Sequence, residues 1–335
     1  MRLLVTGANG FLGRRVVEAF LEAGHGVRAL VRPSTRIDGA LWGGDVEVFR
    51  ADLRGGTDLD PAFEGVKAVV HLAAQMQGDD STILSGTIVG TERLFAAMAR
   101  STVQRLVLVS SFSVYDWRRA RWSHDETTPL LAYPFAAGAY AAAKSWQERL
   151  ARRGVQEHDW KLSVLRPGFL WGRGNDELDC IGQRVGRNLF VFGPSRRPPL
   201  THVDNCADAI LHVVESAASI GGTFDVLDGH RVRAGSFARA LVRGKRLDLR
   251  RWPLPYRLVR LAVSSIQLAS RMFFGRHGKL PSMFVPVRFD LRYKPLRFCA
   301  KRLRGLGWRP RYTFRECAQR TWGEGPAREE RATAA

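Results

Sequence analysis

At 335 residues, 45% hydrophobic and 25% charged, the chain has the makeup of a globular protein with a large core and a second, smaller lobe. No stretch reaches the ~18 consecutive apolar residues of a membrane-spanning helix, and no signal-peptide pattern or Cys-x-x-Cys pair is present; a cytoplasmic setting without a bound metal is expected. The net charge of +20 is lopsided, because residues 240–320 hold 21 lysines and arginines against only Asp248, Asp290 and Glu316.

Short apolar runs at residues 2–5, 27–31, 46–49, 68–72, 105–110 and 162–166 predict strands, and 13–23, 90–100 and 139–152 predict helices between them. This alternation is that of an α/β fold, a doubly wound parallel sheet of the Rossmann kind, with a further strand at 222–227. After residue 231 the chain turns basic and aromatic, which predicts a smaller, mostly helical C-terminal lobe. The expected division is 1–170 with 203–229 for the dinucleotide-binding domain and 171–202 with 230–325 for the lobe. Residues 326–335 are expected to be a disordered tail. The four cysteines, Cys180, Cys206, Cys299 and Cys317, are scattered and are expected to be small buried residues.

The first strand runs into Thr6-Gly7-Ala8-Asn9-Gly10-Phe11-Leu12-Gly13 and then a helix. Glycines let the backbone turn tightly and approach a pyrophosphate, which the helix N-terminus then holds. The second strand ends in Val31-Arg32, where an NAD enzyme would carry an acid for the ribose hydroxyls. Arg32 instead suits a 2′-phosphate, so NADP(H) is favoured over NAD(H). Tyr140 and Lys144 stand four apart on one helix face, where an ammonium can bring a phenol into the working pH range. A serine just past the fifth strand, where Ser110-Ser111 stand, can hydrogen-bond the substrate oxygen that Tyr140 protonates.

These motifs, in this order, resemble the extended short-chain dehydrogenase/reductase family of the NAD-dependent epimerase/dehydratase superfamily. Thr6–Gly13 resembles its T-G-x-x-G-x-x-G. Asp52-Leu53 resembles the pair beside the adenine ring, and His71-Leu72-Ala73-Ala74 the strand end lining the cofactor. Ser110-Ser111-Phe112-Ser113-Val114-Tyr115 resembles S-S-x-x-V-Y and makes Ser111 the catalytic serine. Arg166-Pro167-Gly168 resembles the loop near the nicotinamide, and His202–Ala207 the H-V-D-D-V-A segment. The resemblance implies cofactor contacts from Thr6, Gly7, Asn9, Gly10, Phe11, Leu12, Gly13, Arg32, Asp52, Leu53, Ala73, Ala74, Tyr140, Lys144 and Pro167. It implies catalysis by Ser111, Tyr140 and Lys144. Thr87 stands where the family often has an asparagine supporting a proton relay. The active-site helix of similar proteins often lies at a dimer interface, so a homodimer is an option.

In the C-terminal quarter, residues 255–275 predict a helix with Arg257, Arg260, Ser264, Gln267 and Arg271 on one narrow face and a wide apolar remainder. Two arrangements fit: the apolar face packs on the lobe with the arginines in water, or the helix lies on an anionic membrane. Without a recognised RNA-binding module, a nucleic-acid partner is not expected. The apolar lobe resembles the 3β-hydroxysteroid dehydrogenase-like branch and implies a bulky hydrophobic alcohol or ketone as substrate. A nucleotide-sugar epimerase/dehydratase and a non-catalytic dinucleotide-binding regulator are the alternatives.

Overall fold

Leu3-Leu4-Val5, Val69-Val70, Leu106-Val107-Leu108-Val109 and Val164-Leu165 are buried at every position, as in strands covered on both faces. Alternate side chains point to opposite faces. Leu3, Val5, Val70, Val107, Val109 and Leu165 enter one core with Val16, Val17, Phe20 and Ile210. Leu4, Val69, Leu106, Leu108 and Val164 enter the other with Leu94, Met98 and Ala151.

The computed structural model describes residues 1–36, 42, 46–229, 232–274 and 280–323. Its first half runs β1 (Arg2–Thr6), α1 (Phe11–Glu22), β2 (Gly26–Val31), β3 (Val46–Arg50), β4 (Ala68–His71), α2 (Asp80–Arg100), β5 (Arg105–Val109), β6 (Ser123–His124) and α3 (Ala139–His158). There follow β7 (Lys161–Pro167), β8 (Phe169–Trp171), β9 (Gly182–Val185), β10 (Asn188–Phe192), β11 (Leu200–His202), α4 (Val203–Glu215) and β12 (Thr223–Val226). The last part contains α5 (Ala234–Gly244), β13 (Arg250–Leu254), α6 (Tyr256–Phe274), α7 (Pro286–Tyr293), β14 (Arg297–Phe298), α8 (Lys301–Gly305) and α9 (Phe314–Trp322).

Seven parallel strands lie in the order β12-β7-β5-β4-β1-β2-β3, flanked by α1 and α4 on one face and α2 and α3 on the other. The fold is the expected doubly wound one. The order reverses between β1 and β4, and a ligand of such a sheet lies outside the carboxyl ends of the strands at that switch point.

Three details differ from expectation. Helix α2 starts at Asp80, not 90, because Asp79 Oδ1 accepts from the Thr82 N–H (2.7 Å) and caps the polar first turns. Helix α3 continues past 152 to His158 and ends where Asp159 takes a left-handed φ of +53°. The C-terminal region is helical as expected but also holds a three-stranded sheet, β13-β10-β9. Lys294 anchors this region to the first: its Nζ donates to the carbonyls of Trp117, Arg118 and Ala120 at 2.9, 3.1 and 2.7 Å. The expected tail at 326–335 lies outside the described residues.

Candidate active site

The switch point is built from the ends of β1 and β4. Gly7 has φ +70°, and a Cβ there would lie 2.9 Å from the Ala73 nitrogen, so glycine alone lets the two strand ends meet. A Cβ on Gly13 would lie 2.1 Å from the Gly7 carbonyl oxygen; its absence lets α1 press onto the turn. Gly10 caps α1 without a side-chain hydrogen bond, and the first turn carries no acid. The N-terminal amides and the positive end of the helix dipole are thereby offered to an anion such as a pyrophosphate. Asn9 is held from below, its Oδ1 accepting from Arg14 Nε at 3.1 Å. Phe11 approaches Gly172, while Leu12 packs partly against the core.

At the end of β2, Arg32 is exposed, and its charge helps hold the Asp52 carboxyl below its usual range. The larger cause is Arg54, which donates to Asp52 through its backbone N–H (2.8 Å) and its guanidinium (3.2 Å). Leu53 packs under Gly90 of α2, and its carbonyl accepts from Arg93 (3.0 Å). Two guanidinium groups thus act on Asp52 beside the end of β2. Arg54 was not singled out in the sequence, although it directly follows Asp52-Leu53.

The strand end at His71–Ala74 is fastened by a buried polar network. Thr6 is fully buried; its hydroxyl meets His71 Nδ1 at 2.7 Å and accepts from the Ala73 N–H at 3.3 Å. Thr91 donates to the Thr87 carbonyl (2.7 Å), so its oxygen is an acceptor for the His71 Nε2–H at 3.0 Å. Gln147 of α3 donates to the same Thr91 oxygen (2.7 Å) and to the Ala73 carbonyl (3.1 Å). Thr87 itself accepts from the Gln75 N–H at 3.0 Å and so holds the loop after β4. Burial, with a smaller contribution from Lys144, pushes His71 from 6.5 down to about 3. Its folded pKa is depressed, so its contribution to stability is complete above pH 6.5 and is lost as pH falls toward 3. That loss is on the order of a few kcal/mol. Replacing His71 by a non-titrating Gln should flatten the stability curve across that window, as read by urea denaturation at a series of pH values.

Across the cleft, Ser111 follows β5 and Tyr140 and Lys144 sit in the first turns of α3. Burial raises the pKa of the Tyr140 phenol, and a hydrogen bond with Ser111 opposes that rise. Lys144 is buried, its Nζ donating to the Val109 carbonyl at 3.0 Å. Burial lowers its pKa from 10.5 to about 8, against the opposing pull of Glu148. Pro167 ends β7, next to Arg166, whose guanidinium turns inward. It forms a two-pronged pair with Glu148 (2.8 and 2.6 Å) and lies 4.6 Å over the Tyr115 ring. Tyr115 in turn donates to Asp225 Oδ1 (2.7 Å), whose other oxygen meets His124 Nε2 (3.0 Å). The structure therefore gathers Ser111, Tyr140 and Lys144 at the end of β5, two strands from the glycine turn after β1. Gln147 and Glu148 are the functional supports not named from sequence; the visible signal was their place one turn beyond Lys144.

This arrangement can hold a dinucleotide along the strand ends and present a phenol and a hydroxyl to one substrate oxygen. Residues 3–226 match the NAD dependent epimerase/dehydratase family. A 4-hydroxy-2-methyl-3-oxo-4-farnesyl-3,4-dihydroquinoline-1-oxide ketoreductase of Stigmatella aurantiaca is 28% identical over 78% of each chain. A 3 beta-hydroxysteroid dehydrogenase/Delta 5→4-isomerase of Mycobacterium tuberculosis is 27% identical over 94% of this chain and 88% of its own. Among solved structures, UDP-glucose 4-epimerase of Thermus thermophilus, in complex with NAD, aligns over 96% of this chain and 97% of its own. Its TM-score is 0.68 at 22% identity, a likeness of fold. The chain belongs to the NAD dependent epimerase/dehydratase family and is an NAD(P)-dependent oxidoreductase of that family.

Proposed function

We propose that the protein transfers hydride between NADP(H) and a carbonyl or secondary alcohol on a bulky hydrophobic, sterol-like or long-chain molecule. The observation that carries this reading is the gathering of Ser111, Tyr140 and Lys144 at the end of β5, on the same edge of the sheet as the glycine turn. In this reading residues 1–170 and 203–229 bind the dinucleotide, and 171–202 with 230–325 form the substrate lobe. Bound NADPH supplies the hydride. Tyr140, kept protonated through the neutral range by burial, donates its proton to the carbonyl oxygen. Ser111 hydrogen-bonds the same oxygen and fixes its position, and Lys144, charged below about pH 8, stabilises the phenolate that forms. Thr87, which stands where the family's relay asparagine does, accepts from the Gln75 N–H and holds the loop after β4 in this scheme.

Two observations support a hydrophobic substrate. Met76, in the loop after β4, and Tyr133 and Phe135, just before α3, are exposed apolar side chains on segments next to the β4 strand end and the catalytic helix. The ketoreductase and hydroxysteroid dehydrogenase relatives act on molecules of that class. Arg260, one of the arginines that could have held a diphosphate, is committed to Asp290 at 2.7 Å. A panel of sterol, long-chain keto and nucleotide-sugar substrates, followed by loss of reduced-nicotinamide absorbance, tests the reading. Turnover confined to the nucleotide sugars would contradict it.

The NADP(H) preference is supported by Arg32 and Arg54 beside Asp52 and by the lack of an acid at the end of β2. Charge-assisted bonds to a phosphate are worth about 1.5–3 kcal/mol. Arg32→Ala should therefore raise the KM for NADPH roughly tenfold to a hundredfold and leave that for NADH nearly unchanged. Steady-state kinetics with both cofactors checks this. Exposed Val89, Trp146 and Val155 on α2 and α3 favour a homodimer through these two helices.

A further inference from the structure

Helix α6 is turned inside out. The middle of its polar stripe faces the protein: Arg260 Nε and the Tyr256 hydroxyl both donate to Asp290 Oδ1 of α7, at 2.7 and 2.8 Å. The Tyr256 ring stacks on Phe289, and Val263 is buried beside them. The wide apolar face points outward instead. Leu258, Leu261 and Leu268 are 64, 66 and 62% exposed, and Met272 and Phe273 are 75 and 81% exposed. A surface helix of a globular protein ordinarily buries that face, and so large a contiguous apolar patch marks a contact surface.

The surroundings of the patch say what covers it. Arg257 and Arg271 are exposed on α6, and Arg250, Arg251 and Trp252 are exposed on β13, which leads into the helix. Arg184, Val185 and Arg187 are exposed on the neighbouring β9–β10 hairpin. Between Asp248 and Asp290 the sequence holds eight lysines and arginines and no acid. A second copy of the chain would bring two such segments together against their mutual repulsion. A nucleic acid would need stacking rings, whereas the centre of this face is aliphatic. An apolar face rimmed by arginines, Trp252 at its edge, is complementary to the headgroup boundary of an anionic bilayer.

We propose that the outward face of α6 docks the protein on an anionic lipid surface, with its leucines, Met272 and Phe273 in the acyl boundary and the arginines among the headgroups. Helix α6 packs on α7, and α7 packs on the turn Pro134–Ala137 that leads into the catalytic helix. Helix α6 is thus two packing steps from the turn before Tyr140, so docking would hold the active site near a substrate dissolved in the bilayer. That purpose rests on the hydrophobic substrate proposed above; the docking does not.

The test is flotation of the full chain, without cofactor or substrate, with phosphatidylcholine vesicles containing or lacking about one third phosphatidylglycerol. The chain should float with the anionic vesicles, remain largely free of the neutral ones, and be released by high salt. The double variant Leu261→Glu, Met272→Glu, altered at exposed positions, should keep its melting temperature and its turnover of a water-soluble ketone. It should lose vesicle binding about tenfold or more. A wild-type chain left unbound by anionic vesicles, or a double variant that binds as well as wild type, overturns the proposal. A concentration-dependent dimer dissolved by the same variant, with no vesicle binding, overturns it in favour of a second copy. Vesicle binding by a chain that turns over no hydrophobic carbonyl would refute the proposed function and leave the docking intact.

Discussion

Tyr140→Phe should lower turnover about 10³-fold while NADPH affinity stays within about twofold. The variant loses one hydroxyl and no apolar contact of the ring, so a fall in kcat without a change in cofactor binding isolates the proton donor. The pH dependence sharpens the test. Lys144 carries its charge below about pH 8 and loses it above, because burial disfavours the ammonium. The kcat/KM for carbonyl reduction should therefore be level from about pH 6 to 8 and decline about tenfold per unit beyond. Replacing Lys144 by Met should lower the rate and remove that alkaline limb. Cofactor fluorescence titration and pH–rate profiles read both effects. Normal turnover by Tyr140→Phe would remove Tyr140 from the chemistry.

Glu148→Ala should cost about 3–5 kcal/mol of stability, measured by urea denaturation, because it leaves the Arg166 guanidinium buried without its partner. Both side chains are under 5% exposed, and their two short hydrogen bonds join α3 to β7 directly behind the catalytic residues. Glu148→Gln is the milder companion. It keeps the size of the side chain but removes the carboxylate charge that favours the Lys144 ammonium. The alkaline limb of kcat/KM should then move below pH 8. A Glu148 that served packing alone would leave the limb in place, so the shift separates a positioning role from a structural one.

How far the sequence could be read depended on what each element packs against. The seven parallel strands were legible because strands buried on both faces must be apolar throughout, and runs such as Leu106–Val109 have no room for polar residues. The small sheet β13-β10-β9 was not. Strand β9 exposes Gln183, Arg184 and Val185, and β13 contains a proline, so neither carries an apolar run. The start of α2 was hidden because Ser81, Thr82, Ser85 and Gly86 lower its helical signal, although Asp79 was available as a cap.

The site divides in the same way. Glycine spacing and the Tyr140–Lys144 interval are local and were visible. The roles of the neighbouring supports are not local: Glu148 matters through Arg166, 18 residues on, and Gln147 through Thr91 and the Ala73 carbonyl. Helix α6 marks the sharpest limit. Periodicity gave it two faces, but a helical pattern carries no sign that tells which face turns inward. Asp290, on another helix, draws Arg260 and Tyr256 toward the protein and leaves the leucines outside.

The central claim is hydride transfer to the carbonyl carbon of a hydrophobic substrate. NADPH carrying deuterium at the transferable nicotinamide position, incubated with a sterol-like or long-chain ketone, tests it most directly. The account predicts an alcohol with one deuterium on the carbinol carbon, formed by the wild-type chain and not by Tyr140→Phe. Label retained entirely in the cofactor while the substrate is consumed would contradict it.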